Sequence, residues 1–330
     1  MSDMTELIKN FPKQLAEAME IGEKARLNKP ARPIQNIVIA GLGGSGIGGT
    51  IVSEIVAQEA KVPIVVIKDY FIPAFVNQNT LVICCSYSGN TEETVQALDD
   101  SIARGAMICC ITSGGKVAET AKNKNIDLIN IPGGMPPRAC LGYSLTQLFF
   151  VLHGYGVISN SFKKQLMESI ELLKRENTNI VAEAKKLTDF FAGKIPVIYA
   201  VDGYNGVATR FRQQINENSK MLCWHNILPE MNHNELVGWA EKYDDVAVII
   251  LRNKTDYSRT QARIEISKEI FKKYTPNVTE LWSKGESQLE RSLYLIHLTD
   301  FISVMLADKK KIDATEVNVI NHLKGQLAKI

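Results

Sequence analysis

The sequence has almost no net charge and no long apolar run, and each absence excludes a class of protein. Its 38 lysines and arginines against 36 aspartates and glutamates leave a formal net charge of +2. That charge is too small to predict a nucleic-acid or membrane-surface partner. No apolar run approaches the roughly 20 residues that span a bilayer, and the N-terminal residues lack the pattern of a secretory signal. We therefore expect a cytoplasmic protein that acts on a small molecule.

Cysteine is also scarce, with six in 330 residues. Four of them form two adjacent pairs within apolar runs, Cys84-Cys85 and Cys109-Cys110, and the other two, Cys140 and Cys223, stand alone. This placement does not suit a disulfide framework. The chain also contains no Cys-x-x-Cys or His-x-x-x-His spacing. We expect reduced, structural thiols and no metal site.

What the chain does have is length and a regular alternation of strand and helix patterns. A chain of 330 residues favours two domains of about 150 residues each. The first half alternates after a helical N-terminal stretch of about 30 residues and closes with a helix from Leu141 to about Gly154. The boundary is predicted near 154–160, and the alternation resumes at Ile195. Such repeats predict buried parallel sheets covered by helices on both faces.

Individual elements follow from periodicity and from glycine and proline positions. The predicted helices that bear on the argument are Ile47–Ala57, Thr91–Arg104, Ser161–Phe191, Gly206–Met221, Ser287–Leu306 and Thr315 to about Lys329. Predicted strands of the second half are Ile195–Val201, Val246–Leu251 and Glu280–Trp282.

The segment after the apolar strand Leu81–Cys85 is the most informative in the chain. It reads Ser86-Tyr-Ser-Gly-Asn-Thr91 and opens a predicted helix. Ser86, Ser88 and Thr91 offer hydroxyl donors, and the free N–H groups of the helix start add the positive end of the dipole. Helix capping alone would use one such hydroxyl. We therefore predict an anion site here, built without a lysine.

A glycine-rich loop after the first predicted strand allows two interpretations. Gly41, Gly43 and Gly46 fit the Gly-x-Gly-x-x-Gly template of a dinucleotide site, and Asp69 stands near the expected position of a ribose-binding acid. A sugar phosphate held between strand ends would instead use several hydroxyl-rich turns, as this chain supplies. Sugar phosphate is the favoured ligand, and an NAD-dependent oxidoreductase is an alternative. A third turn, Thr112–Gly115, is expected to be structural.

Five motifs, which occur in the same order along the chain, resemble those of the bifunctional phosphoglucose/phosphomannose isomerases. They are Gly43-Gly-Ser-Gly46, Ser86-Tyr-Ser-Gly-Asn-Thr-Glu-Glu-Thr94, Pro136-Pro-Arg138, Asn216-Glu-Asn-Ser-Lys220 and Pro229-Glu-Met-Asn-His-Asn-Glu235. The resemblance extends from about residue 36 to the C-terminus. It implies an α/β fold of two sugar-isomerase (SIS) domains, each a three-layer αβα unit with a parallel sheet, over residues 1–155 and 156–330, plus a C-terminal helix.

The resemblance also implies an activity and a substrate site. The family interconverts glucose 6-phosphate or mannose 6-phosphate with fructose 6-phosphate, needs neither cofactor nor metal, and forms homodimers with shared active sites. The residues that would bind the sugar phosphate are Gly44, Ser45, Ser86, Ser88 and Thr91.

Four further residues match the family's catalytic positions. Glu217 would be the base that moves a proton between C1 and C2, and Arg138 the cation near the reacting carbons. His233, supplied to the neighbouring subunit's site, would open the sugar ring, and Lys324 would be the C-terminal lysine of the site. Each has a plainer interpretation: a solvated helix end for Glu217, a turn histidine for His233 and a surface ion pair for Arg138.

The chemistry requires these residue types. Removing a proton beside a carbonyl creates an enediolate, which needs a carboxylate base and a fixed cation. Ring opening needs a group that exchanges protons near neutral pH, which favours a histidine, and His233 fits better than His225. Accepting both C2 epimers requires rotation about C2–C3, and Thr315 is a candidate for the small residue that allows it.

The second half departs from the pattern of the first. Its strand-end turn, Asp202-Gly-Tyr-Asn-Gly206, lacks the usual Gly-Ser-Gly sequence, so we expect that this half binds no phosphate. A non-catalytic sugar-phosphate-binding regulator with the same phosphate loops is the second hypothesis. It predicts that Glu217 is not a productive base.

Overall fold

The computed structural model describes residues 3–327 and 329 and contains two parallel sheets among eleven α-helices. The helices are α1 (Asp3–Lys9), α2 (Phe11–Lys24), α3 (Gly43–Ile55), α4 (Glu92–Ala103), α5 (Gly115–Asn123), α6 (Leu141–Gly154), α7 (Ser161–Phe191), α8 (Asn205–Ser219), α9 (Ser258–Tyr274), α10 (Gln288–Lys310) and α11 (Asn318–Leu327). The strands are β1 (Asn36–Ala40), β2 (Ile64–Ile67), β3 (Thr80–Ser86), β4 (Met107–Thr112), β5 (Asp127–Asn130), β6 (Ile195–Val201), β7 (Trp224–Leu228), β8 (Val246–Arg252) and β9 (Val278–Trp282).

The first sheet has the strand order β2-β1-β3-β4-β5, and all neighbouring strands are parallel. Every residue of β3 is buried, which explains why its sequence is apolar on both faces. The order reverses between β1 and β3. The carboxyl edge at such a reversal is the usual ligand position in parallel sheets.

The second sheet repeats this plan with four parallel strands in the order β7-β6-β8-β9. Its order reverses between β6 and β8. The two parallel αβ units confirm the predicted fold class.

Helices between the two sheets join the halves through one continuous apolar core. Helix α3 packs on α8, α10 packs on both α7 and α8, and α2 packs on α6 and α7. One large cluster of buried side chains runs from Met4 to Ala314 and includes inward-facing residues of both sheets. A smaller cluster lies under α4 and α5 on the outer face of the first sheet. Among the described residues, no helix combines the length and apolar character needed to cross a membrane.

Several predicted element boundaries were wrong for identifiable reasons. Helix α3 begins at Gly43 rather than Ile47, because the glycines form its first turn. The polar edge strand β7 was missed, since its sequence Trp-His-Asn-Ile-Leu has no apolar run and four of its five residues are exposed or half-buried. Helix α9 was also missed, because it buries only Ile264, Ser267 and Phe271.

Other predicted element boundaries differ less from the observed ones. The N-terminal helical stretch is two helices that end at Lys24, the second-half strand predicted over 280–282 begins at Val278, and the last helix begins at Asn318 rather than Thr315. Predicted helices over 141–154 and 161–191 have the observed bounds.

Candidate active site

Backbone and hydroxyl groups join the loops that follow β1 and β3. The backbone N–H of Tyr87 donates to Ser45 Oγ at 3.1 Å. Within the second loop, the Ser86 and Thr91 hydroxyls lie 2.9 Å apart, and the N–H of Gly89 donates to Ser86 Oγ at 3.1 Å. Three of the predicted phosphate-binding hydroxyls therefore lie at one edge of the first sheet, Ser45 in the first turn of α3 and Ser86 and Thr91 directly before α4.

The turn after β4 supports this loop through hydrogen bonds. Ser113 Oγ donates to the carbonyl of Tyr87 at 2.6 Å, and the N–H of Lys116 donates to Asn90 Oδ1 at 3.1 Å. Gly89 adopts a φ of +70°, and a Cβ atom there would lie 1.7 Å from the carbonyl oxygen of Gly114. Only glycine fits this position. These contacts agree with the structural role that we expect for the turn Thr112–Gly115.

A short 3₁₀ helix, Pro137–Cys140, brings Arg138 to the same edge. It passes so close to the glycine loop that a Cβ atom on Gly44 would lie 3.0 Å from the carbonyl oxygen of Pro137. The side chain of Arg138 is 5% exposed, and its Nη1 lies 3.5 Å from Oε2 of Glu217, whose side chain is 29% exposed. The predicted base and the predicted cation are thus neighbours, although they are 79 residues apart in the sequence.

Burial lowers the pKa of Arg138, and the nearby carboxylates of Glu217 and Asp313 partly offset this effect by raising the pKa. An arginine with so high an ordinary pKa stays charged throughout the physiological range. The site therefore presents a permanent positive charge beside an accessible carboxylate.

Sequence reasoning did not identify the residues that hold Arg138 in place. Arg138 Nε donates to Asn218 Oδ1 at 2.7 Å, and Asn218 Nδ2 donates to Ser303 Oγ at 2.9 Å. The carbonyl of Arg138 accepts from Arg210 Nη2 at 3.0 Å, and this arginine pairs with Asp300 at 2.6 Å. The only sequence signal for Asn218 was its place in the motif that contains Glu217.

The segment between α10 and α11 completes this part of the site. Arg138 Nη2 donates to the carbonyl oxygens of Ala314 at 2.6 Å and Thr315 at 3.0 Å. Thr315, the candidate for tolerance of both C2 epimers, is therefore held beside Arg138 and Glu217.

Two predicted site residues are not bonded to this group within the described chain. His233 ends a 3₁₀ helix, Glu230–His233, after β7 and is exposed. Lys324 lies on α11 and is also exposed. Neither makes a hydrogen bond or ion pair to Arg138 or Glu217 among the residues that the structure describes.

His225 is a poorer candidate for ring opening. Its Nε2 lies 3.0 Å from Thr209 Oγ1. Burial, with help from the positive charge of Arg212, lowers the pKa of His225 to about 4. It is neutral near pH 7 and is a poor donor of protons there.

The equivalent edge of the second sheet is acidic. A cavity of about 700 Å³ there is lined by, among others, Glu54, Asp202, Tyr204 and Asp256. Both carboxylate oxygens of Glu54, from α3, lie 3.0 Å from the N–H of Gly206 in the first turn of α8. The side-chain carboxyl group of Glu54 thus occupies the position at this helix start where an anion would otherwise bind.

The cysteines are free thiols, and five of the six are buried. Burial raises the pKa of Cys223, the half-buried one, to about 12, so it is protonated at neutral pH. Within residues 3–327 and 329, no group of three histidine, cysteine, aspartate or glutamate side chains is arranged to hold a metal ion.

Two parallel αβ units, the first of which has hydroxyl-rich strand-end loops, define a protein of the sugar-isomerase (SIS) domain class. Residues 180–327 match the family model of the bacterial phospho-glucose isomerase C-terminal SIS domain. Among solved structures, the C-terminal domain of glucosamine-fructose-6-phosphate aminotransferase from Francisella tularensis superimposes with a TM-score of 0.75. The match covers 95% of this chain and 98% of that one at 14% identity, which supports the fold alone.

Relatives with higher sequence identity identify the family. The chain is 39% identical to the bifunctional phosphoglucose/phosphomannose isomerase of Caldicellulosiruptor bescii, over 99% of both proteins. It is 38% identical to the enzyme of the same name from Aquifex aeolicus, over 91% of this chain and 93% of that protein. The chain belongs to the bifunctional phosphoglucose/phosphomannose isomerase family and is accordingly an isomerase. This membership confirms the resemblance and favours it over the dinucleotide interpretation of the glycine loop.

Proposed function

We propose that this protein interconverts glucose 6-phosphate and mannose 6-phosphate with fructose 6-phosphate, by a proton transfer through an enediol and without a metal ion. The observation that carries the proposal is the pair of Arg138 and Glu217, 3.5 Å apart, beside the phosphate-type loops. The relatives from Caldicellulosiruptor bescii and Aquifex aeolicus are named for this activity, which supports the proposal.

Binding begins at the phosphate group in this proposal. The hydroxyls of Ser45, Ser86, Ser88 and Thr91, with the backbone of Gly44 and the N–H groups at the start of α4, hold the phosphoryl oxygens. With the phosphate group held there, C1 and C2 of the open-chain sugar can reach Glu217. His233 from a second subunit opens the ring by taking the proton of the O1 hydroxyl and returning one to the ring oxygen.

Isomerisation then uses one base for both transfers. Glu217 takes the C2 proton of the aldose, the electron pair forms the C1=C2 bond, and the carbonyl oxygen O1 gains negative charge. Arg138 stabilises that charge, and Lys324 is the second cation proposed for this step. A proton moves from O2 to O1, and Glu217 returns its proton to C1, which leaves the ketone at C2. The reverse sequence from the ketose returns the same aldose, and rotation of the enediol about C2–C3 before C2 is protonated yields its C2 epimer.

The test uses purified protein with fructose 6-phosphate in the presence of a chelator, followed by separation of both aldose phosphates. We expect both products to form. Glu217→Gln keeps the size of the side chain but cannot accept the proton, so kcat should fall about 10³-fold while KM changes little.

Glu119→Gln, an exposed carboxylate on α5, is the matched control and should keep full turnover. Full turnover in Glu217→Gln would instead remove Glu217 from the role of base. Binding of hexose phosphate without any turnover in the wild type would favour the regulator hypothesis. Activity that chelation abolishes and zinc restores would contradict metal independence.

A further inference from the structure

Lys220 directly follows α8 and has a left-handed backbone conformation, with φ 50° and ψ 46°. Glycine is the usual residue at such a helix end, because a Cβ atom costs about 1 kcal/mol there. Local backbone preference therefore does not explain a lysine at this position. The explanation lies in its side chain.

The ammonium group of Lys220 joins the end of α8 to a distant segment. Nζ donates to the carbonyl oxygens of Glu217 at 2.7 Å, Asp313 at 2.9 Å and Glu316 at 2.7 Å. A fourth carbonyl, that of Ala314, lies at 3.5 Å. An ammonium has three N–H donors and no acceptor, so three short bonds to three carbonyls use its full capacity.

Arg138 binds the same segment, through the carbonyls of Ala314 and Thr315. We name residues 313–316 the clamped loop, because Lys220 and Arg138 together bind each of its four carbonyl oxygens. The same two cations contact Glu217, one at its carboxylate and one at its carbonyl. The base and the clamped loop are thus held by shared donors.

Helix α11 begins two residues after the clamped loop and buries none of its described side chains against the rest of the chain. Its position therefore depends on the loop that leads into it. That helix carries Lys324, and the loop carries Thr315, so the positions of both depend on the segment that Lys220 and Arg138 hold.

We propose that Lys220 is a positioning residue, whose ammonium fixes the clamped loop and the start of α11 against Glu217. The proposal rests on the function proposed above, since the loop must confine the enediol for its position to affect turnover. Misplacement of a site segment by about 1 Å can cost up to 10²-fold in rate. The phosphate loops lie elsewhere, so substrate binding should depend little on Lys220.

The chain offers a matched control in Lys311. It follows α10 in the same left-handed conformation, with φ 56°, but its exposed side chain makes no hydrogen bond or ion pair among the described residues. Lys220→Gly and Lys311→Gly relieve the same backbone strain, and only the first removes the clamp.

The experiment compares hydrogen exchange of residues 313–327, without substrate, in the wild type and both variants. We expect exchange in Lys220→Gly to rise about tenfold, kcat with fructose 6-phosphate to fall about tenfold and KM to stay within about twofold. The ratio of the two aldose products should also shift. Lys311→Gly should match the wild type in all four readouts. Lys220→Asn, which also tolerates this backbone conformation, replaces Lys220→Gly if that variant does not fold.

Unchanged exchange in Lys220→Gly would overturn the clamp. Faster exchange with wild-type kcat and product ratio would overturn its positioning role. Because exchange is measured without substrate, it tests the clamp even if the wild type proves inactive on hexose phosphates. That inactivity would count against the proposed function and, with it, the effect of Lys220 on turnover.

Discussion

At the scale of single residues, the site depends on directed hydrogen bonds more than on charge alone. Arg138 uses Nε, Nη1 and Nη2 toward three different partners: Asn218, Glu217 and the clamped loop. A planar guanidinium presents these donors in a fixed fork, whereas a lysine ammonium is a single point of charge. The shape of the cation should therefore matter as much as its sign.

Arg138→Lys tests this directly. The variant keeps the positive charge but loses the bonds that align it, so we expect kcat to fall about 10²-fold, with a smaller change in KM. The measurement is steady-state turnover of fructose 6-phosphate. Arg104→Lys, whose wild-type arginine is exposed and donates to the carbonyl of Pro73, is the control and should not change kcat. A loss of less than threefold in Arg138→Lys would mean that charge alone suffices.

At the scale of elements, helices α3 and α8 connect the two ends of the site. Helix α3 starts at the glycine loop with Ser45, and α8 ends with Glu217 and Asn218. Glu54 on the last turn of α3 binds the N–H of Gly206 at the start of α8. Burial raises the pKa of Glu54 to about 7, and Asp202 adds to the rise, while Gly206 and Lys68 oppose it.

This shift predicts how stability depends on pH. The folded-state pKa lies above the unfolded one, so the folded state retains a proton that the unfolded state releases. The stability from this group is complete below about pH 4.5 and is lost as pH rises toward about 7. The loss amounts to roughly 3 kcal/mol at most.

Glu54→Gln should remove that dependence. A neutral amide can still accept from Gly206, so the variant should unfold at higher urea than the wild type at pH 8 and at a similar concentration at pH 5. Equilibrium urea unfolding from pH 5 to 8 measures this, with Glu119→Gln as control. A variant that keeps the wild-type slope with pH would show that Glu54 ionises as an ordinary surface acid does.

At the scale of the whole molecule, two exposed features bear on how subunits would associate. Helix α11 exposes apolar side chains, which are Val319, Ile320, Leu323 and Leu327. His233 is likewise exposed and has no hydrogen bond to the Glu217 group among the described residues. Both features support the proposed homodimer, in which each site combines Glu217 of one subunit with His233 of the other.

Mixed dimers test this arrangement. Glu217→Gln and His233→Asn subunits, each inactive alone, should regain about a quarter of wild-type activity after dissociation and random reassociation. Half of the dimers would be mixed, and each of these would have one intact site. The measurement is turnover of fructose 6-phosphate by the two variants before and after they are mixed. No recovery, despite mixed dimers detected by mass spectrometry, would mean that each site is complete within one chain.

Local signals predicted much of the fold and the hydroxyl-rich loop of the candidate site, whereas Arg138 and Glu217 came from the family resemblance. Apolar strands that lead into hydroxyl-rich turns are short-range features, so the loop with Ser86 and the alternation of strands and helices could be recognised from neighbouring residues. The same holds for α7, whose apolar periodicity continues over 31 residues. The predictions failed where burial was slight, as in β7 and α9, because few apolar side chains mark such elements.

The sequence by itself determined which chemical groups the chain carries and the order in which its strand-end loops occur, because each of these depends on residues close together in the chain. Only the tertiary structure decided which distant groups meet. It joins Arg138 to Asn218, Glu54 to Gly206 and Lys220 to the clamped loop over 80, 152 and up to 96 residues. Such pairs form when helices pack on a shared core, and no local pattern specifies them.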